Sequence, residues 1–138
     1  MSFLLDTNVL SEWQRPAGDP GVKVWMTATP DDLLFISVLA VGEIRRGAEL
    51  LRRRDPTRAT TYDRWLAQLQ LDYGDHVLPI TARIADAWGR MGVPNPLPIV
   101  DGLMAATARI HGLTIVTRNV GHFESAGVPV LNPFSVRS

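Results

Sequence analysis

Three acidic side chains, Asp6, Glu43 and Asp101, sit beside places where short apolar runs give way to polar residues. Brought together, they would suit a divalent cation held against a phosphate. Carboxylates in close company raise one another's pKa, whereas Mg²⁺ or Mn²⁺ neutralises such a cluster and, as a hard ion, matches all-oxygen ligands. The corresponding chemistry is metal-assisted phosphoryl transfer, in which the ion polarises the scissile phosphate, activates water and stabilises the leaving oxygen. Asp6 and Asp101 then bind the main ion, and Glu43 either ligates it or orients the attacking water. Each acid also has a purely structural reading. Asp6 could cap a helix beginning near Val9, Glu43 could sit on a solvated helix face, and Asp101 could be a first-turn acid favoured by the helix dipole. On the residues alone these alternatives stay open.

Positioning three acids so far apart in sequence is a task for the fold. Phe3-Leu4-Leu5 reads as a buried strand whose tip is Asp6-Thr7-Asn8, and Val9 to Gln14 opens a helix. Leu33-Leu34-Phe35-Ile36 reads as a second strand, followed by Ser37 as an N-cap and a helical pattern through Val41, Ile44, Ala48 and Leu51. Tyr62, Trp65, Leu66 and Leu69 have the spacing of an amphipathic helix, and Ile84, Trp88 and Met91 form a shorter stripe after a Thr81 cap. Val77-Leu78-Pro79-Ile80 reads as a short extended piece, and Gly92 to Pro98 as a proline-stiffened loop.

Ile99 to His111, ending before Gly112, reads as a close-packing Ala-rich helix. Leu113 to Thr117 is β-branched at four of five positions and reads as another buried strand, with its polar tip at Arg118 and Asn119. Val128-Pro129-Val130-Leu131 is a last strand, placed at an edge by its proline. The alternation predicts an α/β class chain with a three-layer α/β/α arrangement around a mostly parallel sheet. In such a sheet the carboxyl ends of the strands and the first turns of the following helices share one edge, where the three acids converge.

The 138 residues suit one compact domain over 1–138, and 14 basic residues against 14 acidic ones leave no chain-wide cationic field for nucleic acid. Zero cysteines removes disulfides, thiolate nucleophiles and Cys-containing metal sites. The N-terminus lacks a signal-peptide pattern and the apolar runs are too short to span a bilayer, so a cytoplasmic protein with no membrane partner is expected.

Leu4-Leu5-Asp6-Thr7-Asn8-Val9-Leu10-Ser11-Glu12 resembles the opening of PIN-domain ribonucleases, particularly the VapC-type toxins of type II toxin-antitoxin systems. Ile36 to Gly47, around Glu43, and Asp101 to Ala108 look like the family's second and third acidic segments. Thr117 to Phe123 and Asn132-Pro133-Phe134 are similar to its closing signatures, so the resemblance covers nearly the whole chain. It implies a small α/β/α PIN fold, usually dimeric, that cuts RNA with Mg²⁺ or Mn²⁺ and is neutralised by a cognate antitoxin. Asp6, Glu43 and Asp101 match the family's three central acids. Many members carry a further acid in the final motif, where this chain has Asn119 and then His122. Asn119 offers only a neutral oxygen, which weakens a second metal site. His122 has three readings: metal ligand, phosphate contact, or a packed and hydrogen-bonded residue at the strand exit. Thr117 and Asn8 support the acids by hydrogen bonding.

Seven Arg between Arg45 and Arg64, offset by Glu49, Asp55 and Asp63, suggest a basic ridge that contacts RNA backbone, an acidic antitoxin or a second copy, or else a solvated face that contacts none of them. Trp13, Trp25, Trp65 and Trp88 are numerous enough that at least one is expected to cover an oligomer surface. The resulting expectation is a metal-dependent endoribonuclease toxin acting on structured cellular RNA as a homodimer. The alternative is a noncatalytic RNA-binding or antitoxin-binding PIN module, motivated by the missing acid near Asn119.

Overall fold

The computed structural model describes residues 1–135. Five strands, β1 (Phe3–Leu5), β2 (Leu34–Ser37), β3 (Val77–Leu78), β4 (Thr114–Val116) and β5 (Val130–Leu131), form one sheet in the order β3-β2-β1-β4-β5. Every pairing is parallel, with Leu4 opposite both Phe35 and Ile115. The chain moves outward from β1 to β2 and β3, then returns to the other flank of β1 for β4 and β5. The order therefore reverses at the β1/β4 boundary, and parallel α/β sheets open a crevice outside the carboxyl ends of such strands.

All residues of β1 and β4 are buried, as strands covered on both faces must be. Their side chains alternate between two cores. Phe3 and Leu5 join Val9 and Leu10 of α1 (Thr7–Gln14), Val22 and Met26 of α2 (Pro20–Ala28), Ile44 of α3 (Val38–Arg52), and Leu66 and Leu69 of α4 (Pro56–Tyr73). Leu4 and Ile115 instead meet Met104, Ala105 and Ala108 of α6 (Ile99–His111) and Phe123 of α7 (Val120–Glu124). The remaining helix, α5 (Ala82–Arg90), packs along α6, with Trp88 over Gly102. A Cβ at position 102 would stand 2.9 Å from the indole, which explains the glycine. The result is the expected α/β/α layering, with a sheet that is wholly rather than mostly parallel.

Several boundaries differ from the sequence expectations for identifiable reasons. α1 begins at Thr7 rather than Val9, because Asp6 caps it by accepting the Thr7 N–H. α2 and α7 are additional helices. β3 stops at Leu78, since Pro79 has no N–H to extend a ladder. The α6 boundaries coincide with those expected, and Gly112 closes that helix in the left-handed conformation at φ 66°. Among the described residues, no helix is long and apolar enough to cross a membrane.

Candidate active site

Asp6 stands at the carboxyl tip of β1, directly over the sheet's reversal point. Its backbone N–H donates to the Val116 carbonyl at 2.9 Å, so the last ladder bond of β1 and β4 fixes the main chain on which the carboxylate sits. One carboxylate oxygen, Oδ1, accepts the Thr7 N–H at 2.8 Å. The other, Oδ2, accepts the Thr117 hydroxyl at 2.7 Å and more weakly the Asn8 amide at 3.4 Å. Asp6 is thus both the helix cap and a candidate ligand, two readings that looked exclusive from the sequence.

Glu43 reaches the same region from the second turn of α3. Its Oε1 accepts the Thr7 hydroxyl at 2.8 Å, so Thr7 binds one acid through its backbone and the other through its side chain. Nothing in the sequence singled out this bridging role, although a hydroxyl directly after the strand-end acid was its available signal. Asp101, in the first turn of α6, is approached by His122 Nδ1 at 3.2 Å from its Oδ2. His122 belongs to the acid site, its side chain 57% exposed, rather than to the packed interior. Thr117 is fully buried and also accepts the Asn119 N–H at 3.0 Å, while Asn8 Oδ1 accepts the Arg118 N–H at 3.3 Å. These bonds tie the tip of β4 to the tip of β1.

The electrostatics show that the acids share one field. Burial pushes the Asp6 carboxyl above its ordinary value, the Thr117 and Thr7 hydrogen bonds pull it back, and the negative charge of Asp101 pushes it up again. Loss of hydration likewise raises Glu43; the Thr7 hydroxyl opposes the shift, and the charges of Asp6 and Asp101 add to it. Among the described residues no Lys or Arg forms an ion pair with any of the three acids; only His122 approaches one of them. Three carboxylates gathered without a Lys or Arg counter-charge, with only the His122 imidazole beside them, suit a hard divalent cation. No three acidic or histidine groups among the described residues close into a ready-made cage. Mg²⁺ keeps several waters and is bound through one or two carboxylates together with substrate phosphate, so it does not require such a cage.

The Arg-rich segment corresponds only in part to the expected ridge. A turn at residues 53–55 divides it between α3 and α4, and two of its guanidiniums are engaged within the chain. Arg45 and Arg52 bind Asp63 at 2.6 and 2.7 Å, and Arg52 also meets Glu49 at 3.1 Å. Of the tryptophans, Trp25 meets Phe3 edge-on and Trp65 meets Tyr62, whereas Trp13 is 39% exposed beneath Lys23.

A five-stranded parallel sheet with acids above its reversal point is the architecture of the PIN domain, whose profile matches residues 3–128. The toxin FitB of Neisseria gonorrhoeae is 30% identical over 137 residues, covering 96% of this chain and 98% of FitB. The VapC ribonuclease Y4jK of Sinorhizobium fredii is 29% identical over 137 residues, covering 96% and 97%. The crystal structure of FitAcB from Neisseria gonorrhoeae has a TM-score of 0.86 at 31% identity, over 95% of this chain and 97% of that one. The chain belongs to the PIN-domain family, in its branch of VapC-type toxins of toxin-antitoxin systems.

Proposed function

We propose that the protein is a divalent-metal-dependent endoribonuclease toxin that hydrolyses phosphodiester bonds in structured cellular RNA. The observation that carries this reading is the mutual field of Asp6, Glu43 and Asp101 at the sheet's reversal point, unrelieved by any Lys or Arg partner among the described residues. Asp6 and Asp101 are the direct ligands of Mg²⁺ or Mn²⁺, and Glu43 is either a further ligand or the acceptor that aligns the attacking water. When bound, the ion supplies Lewis acidity toward the scissile phosphate. Thr117 and Thr7 hold Asp6 in one rotamer, and the Thr7 hydroxyl fixes Glu43 beside it.

FitB is a toxin by name and Y4jK a ribonuclease, which supports an antitoxin-controlled nuclease here. The protein acts in the cytoplasm as a homodimer, for which exposed Val24, Leu50 and Leu71 supply apolar surface. Asn119, neutral where many relatives carry an acid, favours a second reading as a noncatalytic RNA-binding or antitoxin-binding module.

Purified protein incubated with a cellular RNA pool separates the two. Cleavage that needs Mg²⁺ or Mn²⁺, stops with chelator and is lost in Asp6→Asn and Asp101→Asn supports the nuclease. Undiminished cleavage in both variants overturns the site, and binding without turnover in either metal supports the second reading.

A further inference from the structure

We propose that Arg118, at the tip of β4 with its guanidinium over the Phe134 ring, forms a phosphate-binding subsite for the RNA strand beside the three acids. This inference rests on the nuclease reading and names how its substrate is held. An acid-lined edge on a chain of zero formal net charge repels a polyanion, so the backbone flanking the scissile bond needs a fixed local cation. Within three residues of each strand's carboxyl end, Arg118 is the only Arg or Lys. Arg45 and Arg52 of the expected ridge are engaged with Asp63 and Glu49.

The geometry around Arg118 is preorganised. Its backbone N–H is latched to Asn8, whose amide in turn reaches Asp6, so the root of the side chain is fixed relative to the acid site. The guanidinium carbon lies 4.1 Å from the Phe134 ring centroid. A guanidinium held on an aromatic ring presents its N–H donors at the edge of its plane, in the fork that matches two phosphate oxygens. No described carboxylate lies within ion-pair distance of it.

Beside it opens a hollow of about 400 Å³, lined by Asp19, Arg118, Asn132, Phe134 and Ser135. Asp19 lines the same hollow as an ionised carboxylate, held below its ordinary value by hydrogen bonds from Ser135 and Val22, but it forms no ion pair with the arginine. The guanidinium, turned onto Phe134, serves a phosphate flanking the one being cut. Such a contact positions the backbone without reading its sequence.

Binding is measured with a labelled hairpin RNA and Asp6→Asn protein, which removes turnover, across a range of salt concentrations. Adding Arg118→Ala is expected to weaken binding about tenfold and to lower the slope of log affinity against log salt by about one. Arg118→Lys should keep most of the slope and lose much of the affinity, since an ammonium cannot reproduce the stacked fork. Phe134→Leu should show a smaller loss with the slope unchanged. In the cleaving protein, Arg118→Ala should raise KM and spare kcat.

An unchanged affinity and slope in Arg118→Ala overturns the subsite while leaving the nuclease reading intact. Wild-type protein that neither binds nor cleaves the RNA in Mg²⁺ or Mn²⁺ overturns both. Loss of antitoxin binding with RNA binding preserved makes Arg118 a protein contact, which also overturns the proposal.

Discussion

Two clusters of charge in this molecule are built on opposite plans. On the outer face of the α3/α4 hairpin, Arg45, Arg52, Glu49 and Asp63 neutralise one another, and the paired guanidiniums hold the Asp63 carboxyl down at about 2. At the sheet's reversal point, Asp6, Glu43 and Asp101 oppose one another, and burial together with like charge pushes Asp6 and Glu43 up. The donors from Thr7, Thr117 and Asn8, with His122 beside Asp101, restrain that second cluster, and no Lys or Arg among the described residues pairs with it. A self-compensated cluster has nothing left to attract, whereas an uncompensated one is held ready for a cation from outside. Carboxylates raised by burial and by one another in a crevice are a functional signal for this reason, and carboxylates lowered in a surface ion-pair network are not.

The largest expected contrast comes from removing one charge from each cluster. Asp6→Asn should reduce RNA cleavage about a thousandfold or more, because a direct metal ligand is lost. Its melting temperature should change little, since loss of a buried repulsive charge is offset by the acceptor oxygen that the amide no longer supplies to Thr7 or Thr117. Asp63→Asn should do the reverse, leaving cleavage intact and lowering the melting temperature slightly, as expected for a solvent-screened pair. Parallel cleavage and melting measurements on both variants test this, and a matching loss of cleavage in Asp63→Asn would erase the distinction.

A smaller effect is expected where the second cluster is restrained. Thr117 is fully buried and donates to Asp6 while accepting from Asn119 and Asn8. Thr117→Val keeps its shape and removes all three bonds, at a cost of about 1–3 kcal/mol for polar groups left unpaired. The Thr117 bond also lowers the Asp6 pKa, so its loss should move the acid limb of the cleavage profile to higher pH. Thr117→Ser should restore the limb. A pH–rate profile of the three proteins reads this directly, and a valine variant with the wild-type limb would show that Thr117 only fills space.

The two clusters also differed in how far the sequence revealed them. Asp6, Glu43 and Asp101 each sit at a strand tip or an early helical turn, so alternation of elements was enough to expect a common edge. What the pattern could not carry was mutual bonding. Thr7 bridges Asp6 and Glu43, and His122 meets Asp101, through contacts between residues 36 and 21 positions apart. The α3/α4 segment reads in sequence as a basic ridge or a solvated face, because formal charges add along a chain, whereas Asp63 reaches across to Arg45 and Arg52 only once the two helices pack. α2 is less legible although Asp19-Pro20 is an adequate start signal, since its apolar stripe is short, Val22, Trp25 and Met26. α6 was legible in full because propensity, small-residue packing and a left-handed glycine stop all agree there.

The gentlest way to separate the clusters is pH, because their folded-state shifts have opposite signs. Asp6 and Glu43 lie above their ordinary values of 3.8 and 4.5, so the folded state holds these protons more tightly than the unfolded chain. Their contribution to stability therefore declines as pH rises from the ordinary carboxylate range through the raised folded values. Asp63 lies below 3.8, at about 2, so its contribution is present above the ordinary value and is lost as pH falls toward the folded one. Denaturant unfolding in chelator from pH 3 to 8 should thus show a decline on the upper side that Asp6→Asn reduces, and an acid-side loss that Asp63→Asn reduces. Added Mg²⁺ should cancel the upper decline alone, because a bound cation stabilises the ionised acids and favours the folded state. High salt should instead weaken the Asp63 contribution, which lies in solvent where counter-ions screen it. If Mg²⁺ and salt acted on the same limb, the two clusters would not be electrostatically independent.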